Sequence, residues 1–405
     1  MKKAILCGKL FRPEHGDVVC GAVVLVESDT VLDVLIDHSA IPAGFEQIDL
    51  SDKFVTPGLI DAHVHTSCDG SPDTFATLTT DTAGDIALAS LRRAQANLRA
   101  GFTTIRDAGS SAFCDVAVRN AINRGEFWGP RMLVSGQSIG STGGHADSHY
   151  SPNVTNSLAF GLVIDGADQA RHAARYNIKH GADFLKFMST GGVLSRGTTV
   201  GAQQLTADEI AAIIEIANMY GVHTATHAHG TEGIKAAVRA GVTSVEHGMM
   251  LDDEGVALMA EHGTFLVPTI IAAERIIVNG EQNGMADWAV AKAKQVLQNH
   301  KNGLAKCRAN GINIAFGSDA GTPFNYHGKQ GYEFELMVSF GFTALEALTA
   351  ATLTNARLLR LSDKIGSLEP GKQADLAAFD GDPRTDVKTL AQCRFVMRAG
   401  TQISL

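Results

Sequence analysis

Apolar residues recur along this chain in two alternating rhythms. Short runs such as Val55-Thr-Pro-Gly-Leu-Ile-Asp-Ala-His63-Val-His65 have the length of strands, and longer stretches carry the three-to-four-residue spacing of helices with one buried face. The short runs predict strands ending near His65, Asp107, Gly136, Met188, His227, His247, Thr269 and Asp319. Between them the longer stretches predict helices over 85–100, 168–180, 207–220, 232–240, 252–262 and 289–310. Six of these helices run into a glycine that opens the next strand: Gly101, Gly181, Gly221, Gly241, Gly263 and Gly311. Glycine tolerates the left-handed conformation that ends a helix, so the repeated punctuation marks helix-to-strand joints. Eight strand–helix units spread over about 300 residues predict an α/β chain folded as a (β/α)8 TIM barrel. A doubly wound open sheet is the alternative, but no Gly-x-Gly-x-x-Gly follows the first strand to suggest a dinucleotide site.

The chain ends have a different texture. Short strands are expected over 3–10, 21–28 and 31–36, and again over 374–379 and 394–399 around the turn Gly381-Asp382-Pro383. Neither group alone carries enough apolar surface to fold. They are therefore expected to join as one small β-sandwich domain, residues 1–56 plus 362–405, with the barrel of residues 57–361 inserted between them.

With 405 residues, 45% of them hydrophobic, the chain can bury a full core and exceeds one ordinary domain. A formal charge of −9 leaves no basic cluster to neutralise phosphates, so no nucleic-acid partner is expected. Cys7, Cys20, Cys68, Cys114, Cys307 and Cys393 are scattered without a Cys-x-x-Cys pair, which suits reduced thiols in the cytoplasm. The apolar N-terminal run is stopped by Lys9 and Arg12, too short for a signal peptide, and no stretch is long enough to span a membrane. A homo-oligomer is left open, since one sequence shows no interface.

The strand ends carry the candidate chemistry, because active sites of barrels gather at that face. Side chains alternate across a strand, so His63 and His65 point the same way and make half a metal site. Fifteen histidines in the chain make such a pair unremarkable alone. His227 and His229 end the fifth strand, His247 the sixth and Asp319 the eighth. Lys186 interrupts the apolar fourth strand and shares a face with Phe184 and Met188, pointing inward beside the imidazoles. A buried ammonium is costly, so the amine is expected to be neutral, carboxylated by CO2 into a bridging anion, or paired to a carboxylate such as Asp183. Asp319, before Ala-Gly-Thr-Pro, could equally be a helix cap. His223 and His300 read as structural or surface residues, and Trp128 and Trp288 as packing.

The ordered set of the His63-Val-His65 run, Lys186, His227, His247 and Gly-Ser-Asp319-Ala-Gly resembles the binuclear branch of the amidohydrolase superfamily. Ser141-Thr-Gly-Gly-His145-Ala-Asp147, Gly191-Gly-Val-Leu-Ser195 and Glu246-His247-Gly are most similar to its Xaa-Pro dipeptidase and imidazolonepropionase-related group. The resemblance covers nearly the whole chain, including Gly366-Ser-Leu-Glu-Pro-Gly-Lys-Gln-Ala-Asp375-Leu. It implies that His63, His65 and Asp319 hold one divalent ion, that His227 and His247 hold a second, and that carboxylated Lys186 bridges them. Such ligands suit zinc. It further implies a hydroxide between the metals that attacks a polarised amide carbonyl, with Asp319 moving the proton to the leaving amine. His145 would reach the oxyanion, with His229 and Arg196 as further substrate contacts. The implied activity is hydrolysis of a dipeptide or N-acyl amino acid. Competing readings are hydrolysis of another C–N bond, such as a cyclic amide, urea or carbamate, and a scaffold that has lost its chemistry. Mononuclear deaminase branches commonly place a glutamate after the strand-five histidine, where this chain has Ala228-His229.

Overall fold

In the computed structural model, which describes residues 1–36, 41–148, 151, 153 and 159–405, the short apolar runs form strands and the amphipathic stretches form helices. The N-terminal end supplies β1 (Lys2–Arg12), β2 (Asp17–Cys20), β3 (Val23–Glu27), β4 (Thr30–Leu35) and β5 (Glu46–Pro57). The middle begins with β6 (Leu59–Val64), α1 (Thr77–Thr80), α2 (Ala83–Arg99), β7 (Phe102–Asp107), α3 (Cys114–Asn123), β8 (Arg131–Val134), β9 (Ser138–Ser141) and β10 (Gly161–Ile164). It continues through α4 (Ala167–Lys179), β11 (Phe184–Met188), α5 (Ala207–Tyr220), β12 (His223–Gly230), α6 (Thr231–Ala240), β13 (Ser244–Met250), α7 (Asp253–His262) and β14 (Phe265–Val267). Helices α8 (Ile270–Asn279), α9 (Asp287–Ala309), α10 (Tyr332–Ser339), α11 (Ala344–Thr349) and α12 (Asn355–Leu358) precede the closing strands β15 (Leu376–Asp380), β16 (Cys393–Arg398) and β17 (Thr401–Ile403).

The central strands are parallel, β6 to β7 to β8 and β11 to β12 to β13 to β14. The Asp183 amide donates to the Val134 carbonyl at 2.7 Å and links the first group to the second. Residues 313–320 link the second back to the first: the Leu266 amide donates to Asn313 O at 3.0 Å, and the Asp319 amide to His63 O at 2.7 Å. Neighbour by neighbour, the pairing thus returns to β6. The expected eighth strand is not regular. It makes isolated bridges at Ile314 and Ala320, because Asp319, at φ 58°, leaves the extended conformation.

All six glycines at the helix-to-strand joints have positive φ, from 66° at Gly263 to 101° at Gly181. At the other end of α5, Thr206 and Glu209 cap each other's backbone amides. The parallel strands and surrounding helices enclose one core that includes Phe102, Leu185, Phe187, Ile213, Val245 and Phe316.

Strands from both chain ends join in a single path of pairing, β17-β16-β15-β5-β1-β3-β4, with β2 on β1. The two-residue strand period divides its apolar residues between its faces. Leu10, Val55, Leu376 and Ala378 pack within the terminal sheet, whereas Phe11, Phe54, Ala377 and Phe379 belong to the larger core. Each buried phenylalanine on that second face contributes on the order of 1.5–3 kcal/mol. Arg131 ties the seam, donating to Asp375 Oδ2 and Thr104 Oγ1, each at 2.8 Å. Among the described residues no helix is long and apolar enough to cross a membrane.

Candidate metal centre

Every residue singled out at the strand ends lines one cavity of about 270 Å³: His63, His65, His145, Lys186, Arg196, His227, His229, His247 and Asp319. Three of them converge most closely. One donor atom each from His63, His65 and Asp319 lies within 4.8 Å of the others. The Nε2 atoms of His63 and His65 are 3.3 Å apart, and Asp319 Oδ1 lies 3.4 Å from the first and 3.2 Å from the second.

What aims these donors is the set of bonds behind them. His63 Nδ1 lies 2.7 Å from Glu246 Oε2, His65 Nδ1 3.0 Å from the Gly109 carbonyl, and His247 Nδ1 2.6 Å from Thr269 Oγ1. Each outer bond fixes a ring and leaves its Nε2 facing inward, the arrangement typical of metal-binding imidazoles. Glu246 is in turn held by Arg106, whose Nη2 donates to Oε1 at 2.8 Å; both side chains are fully buried. Arg106 also donates to the Ala62 carbonyl at 2.6 Å, one residue before His63. The sequence reading missed this pair, because both look like ordinary strand residues.

Farther along the cavity the rings pack on one another. His227 and His247 centroids are 4.6 Å apart, and His145 stacks on His227 at 4.0 Å. His229 lies 4.8 Å from His227 and 5.1 Å from His247. His145 Nδ1 meets Ser195 Oγ at 3.2 Å. A Cβ on Gly192 would lie 2.3 Å from the His145 ring, so any side chain there would displace that ring.

Three of the non-glycine residues with positive φ are here: His247 at 72°, Asp319 at 58° and Thr269 at 46°. Such conformations cost on the order of 1–3 kcal/mol each and persist where surrounding packing enforces them, commonly at functional sites.

At His65 burial is outweighed by the Asp319 carboxylate, which raises the ring above its ordinary value, but elsewhere in the site burial keeps the imidazoles neutral. It brings His63 down to about 4 and His229 to about 3, and drives His227 and His247 well below the usual range. Burial also lowers the Lys186 amine to about 8. For Asp319, burial works toward the neutral acid, but His63 and His65 outweigh it and hold the carboxylate below its ordinary value.

These observations test the donor set for a divalent cation. Neutral imidazoles present lone pairs, and one buried atom of a ring lining the cavity, His227 Nε2, has no hydrogen-bond partner among the described residues. Leaving such groups unpaired costs free energy that a cation would recover. The residues fit.

Two alternatives weighed from sequence disappear. Asp183 is taken by Arg119, Nη1 to Oδ2 at 2.5 Å, and does not pair with Lys186. The Asp319 carboxylate faces the histidines, and only its backbone carbonyl accepts the Thr322 hydroxyl, at 2.8 Å. His223 is buried and stacked on Phe184 at 4.9 Å, and His300 is buried in α9 rather than on the surface. Trp128 lies beside Arg99, whereas Trp288, read as packing, lines the cavity. Periodicity could not have found it, since a cavity wall and a core have the same apolar signature.

Comparisons with known proteins identify a family. Residues 54–403 match the model of the amidohydrolase family. Ochratoxinase of Aspergillus niger is 30% identical over 419 aligned residues, covering 98% of this chain and 85% of that protein. A Xaa-Pro dipeptidase solved with methionine in its active site superposes with a TM-score of 0.92 at 34% identity, each chain covered completely. A prolidase solved with N-methylphosphonate-L-proline gives 0.92 at 30% identity, covering 100% of this chain and 99% of that one. The chain belongs to the amidohydrolase family of metal-dependent hydrolases acting on carbon–nitrogen bonds.

Proposed function

We infer that the protein hydrolyses the amide bond of a dipeptide or N-acyl amino acid. The observation that carries this reading is one cavity in which imidazoles, a carboxylate and a buried lysine converge, with the outer nitrogens of His63, His65 and His247 already bonded. His63, His65 and Asp319 would hold one divalent ion, His227 and His247 a second, and Lys186, carboxylated by CO2, the pair; zinc suits this donor set. When bound, such ions supply Lewis acidity, polarising the scissile carbonyl and acidifying water.

The chain's own groups do the rest. Asp319 takes the proton of the attacking water and passes it to the leaving amine. His145 Nδ1 lies 3.2 Å from Ser195 Oγ, and the tautomer that carries its proton on Nε2 would donate to the carbonyl oxygen as negative charge develops there. The flanking apolar walls exclude bulk water, which strengthens both interactions.

The same reading takes the returning ring of parallel pairing as a (β/α)8 barrel over 57–361, inserted in a β-domain of residues 1–56 plus 362–405. Six unpaired cysteines suit a reducing, cytoplasmic setting.

The test is a library of dipeptides and N-acyl amino acids with amine release as the readout, on enzyme purified without chelator and assayed for metal. Turnover with about two ions per chain is expected. Full metal content with no turnover across the library overturns the reading.

A further inference from the structure

The cavity lining draws on two separate apolar clusters. Phe160, 5.3 Å from His65, and Phe75, 5.6 Å from Phe160, make a wall beside the closest donor cluster. Met249 and Ile276 of the other cluster, together with Trp288, make a second wall. Met249 and Ile276 are rooted in a core with Val290 and Val296, so this second wall is rigid. Trp288, on α9, is 38% exposed and lines the cavity.

One lysine ties this wall to the loop after β11. Lys292, a helical turn from Trp288, lies 5.2 Å over its ring and donates to the Ser195 carbonyl at 2.7 Å. The next residue is Arg196, which lines the mouth and has no carboxylate partner among the described residues. The same Ser195 bonds His145, so aromatic wall, guanidinium and the expected oxyanion donor are fastened together.

We propose that the Trp288 wall is the subsite for the leaving amino acid, taking a large apolar side chain against Trp288, Met249 and Ile276 with its carboxylate on Arg196. This rests on the hydrolytic reading for the word "leaving", but the recognition is of an apolar carboxylate whatever the reaction. An apolar wall gains from each methylene it covers, and a guanidinium pairs with a planar carboxylate. Glycine or a charged side chain at that position forfeits the first contact, so the subsite selects for size and apolarity.

The chain has two tryptophans, and Trp128 lies on the outside against Arg99. In the metal-loaded Trp128→Phe enzyme, Trp288 emission therefore reports the subsite directly. We expect a saturable change with 3-phenylpropionate, at least about 10-fold tighter than with propionate, and about 10-fold weakening of 3-phenylpropionate by Arg196→Gln. In the otherwise unchanged enzyme, Trp288→Ala should lower kcat/KM for N-acetyl-L-phenylalanine about 10-fold relative to N-acetylglycine, with Trp288→Phe close to the parent. Equal affinity for the two acids, or emission indifferent to both, overturns the subsite. Binding of 3-phenylpropionate without hydrolysis of any amide leaves the subsite standing and removes the hydrolytic reading.

Discussion

The sharpest quantitative expectation concerns Arg106 and Glu246, two fully buried charges behind His63. Burial would raise the Glu246 carboxyl, but the Arg106 guanidinium and His63 overcome it and hold the group well below the usual carboxylate range. Two unit charges about 4 Å apart at an effective dielectric of about 20 attract by about 4 kcal/mol. Removing one partner leaves the other charge buried and uncompensated, which typically costs about 3–5 kcal/mol. Arg106→Leu and Glu246→Gln should each destabilise by that amount, a large share of a stability of about 5–15 kcal/mol. The double variant removes both charges and keeps an acceptor for His63 Nδ1, so it should cost at least about 2 kcal/mol less than the sum of the singles. Urea unfolding followed by circular dichroism measures all three. Because Glu246 also fixes His63, Glu246→Gln should weaken metal binding about 10–100-fold, read by chelator competition. Single losses below about 1 kcal/mol, or additivity within about 0.5 kcal/mol, would refute the argument that this is a coupled buried pair supporting the site.

Lys186→Ala should lose most bound metal and activity, with partial recovery on adding a short carboxylic acid; wild-type metal content in that variant would remove the lysine from the ligand set. Dialysis against a chelator should abolish turnover, and zinc with bicarbonate should restore more of it than zinc alone. Asp319→Asn should cut turnover more than metal content, by at least about 10²-fold, since proton transfer is lost as well as one donor. Glu333, buried and accepting from the Ile270 and Ile271 amides at 2.8 and 2.7 Å, is pushed well above its ordinary 4.5 by burial. The folded chain then holds a proton that the unfolded chain releases, so this contribution is full below pH 4.5 and declines as pH rises toward the folded value. Glu333→Gln should therefore gain in Tm against the parent between pH 5 and pH 8, and a difference independent of pH would contradict the assignment.

The sequence alone was enough to establish the alternation of strands and helices, the glycine joints and the inward set of His63, His65, Lys186, His227, His247 and Asp319. The elements, the joints and the shared face of His63, His65 and Lys186 follow from periods of 2 and 3.6 residues and from left-handed turns, which are properties of a few consecutive residues, while the resemblance to a known family completed the set. Only the tertiary structure decided what each inward group meets. Glu246 and Arg106 are 140 positions apart, and Asp183 finds Arg119 instead of the lysine three residues along its own strand. The stretch ending at Asp319 is bent out of a regular strand as its carboxylate reaches His65. Trp288 became a cavity wall because of where α9 crosses β13 and α8, with the same apolar character it would have shown in a core. Alternation along a strand tells a side chain which way to face; only the return of the pairing to β6 determines what stands opposite.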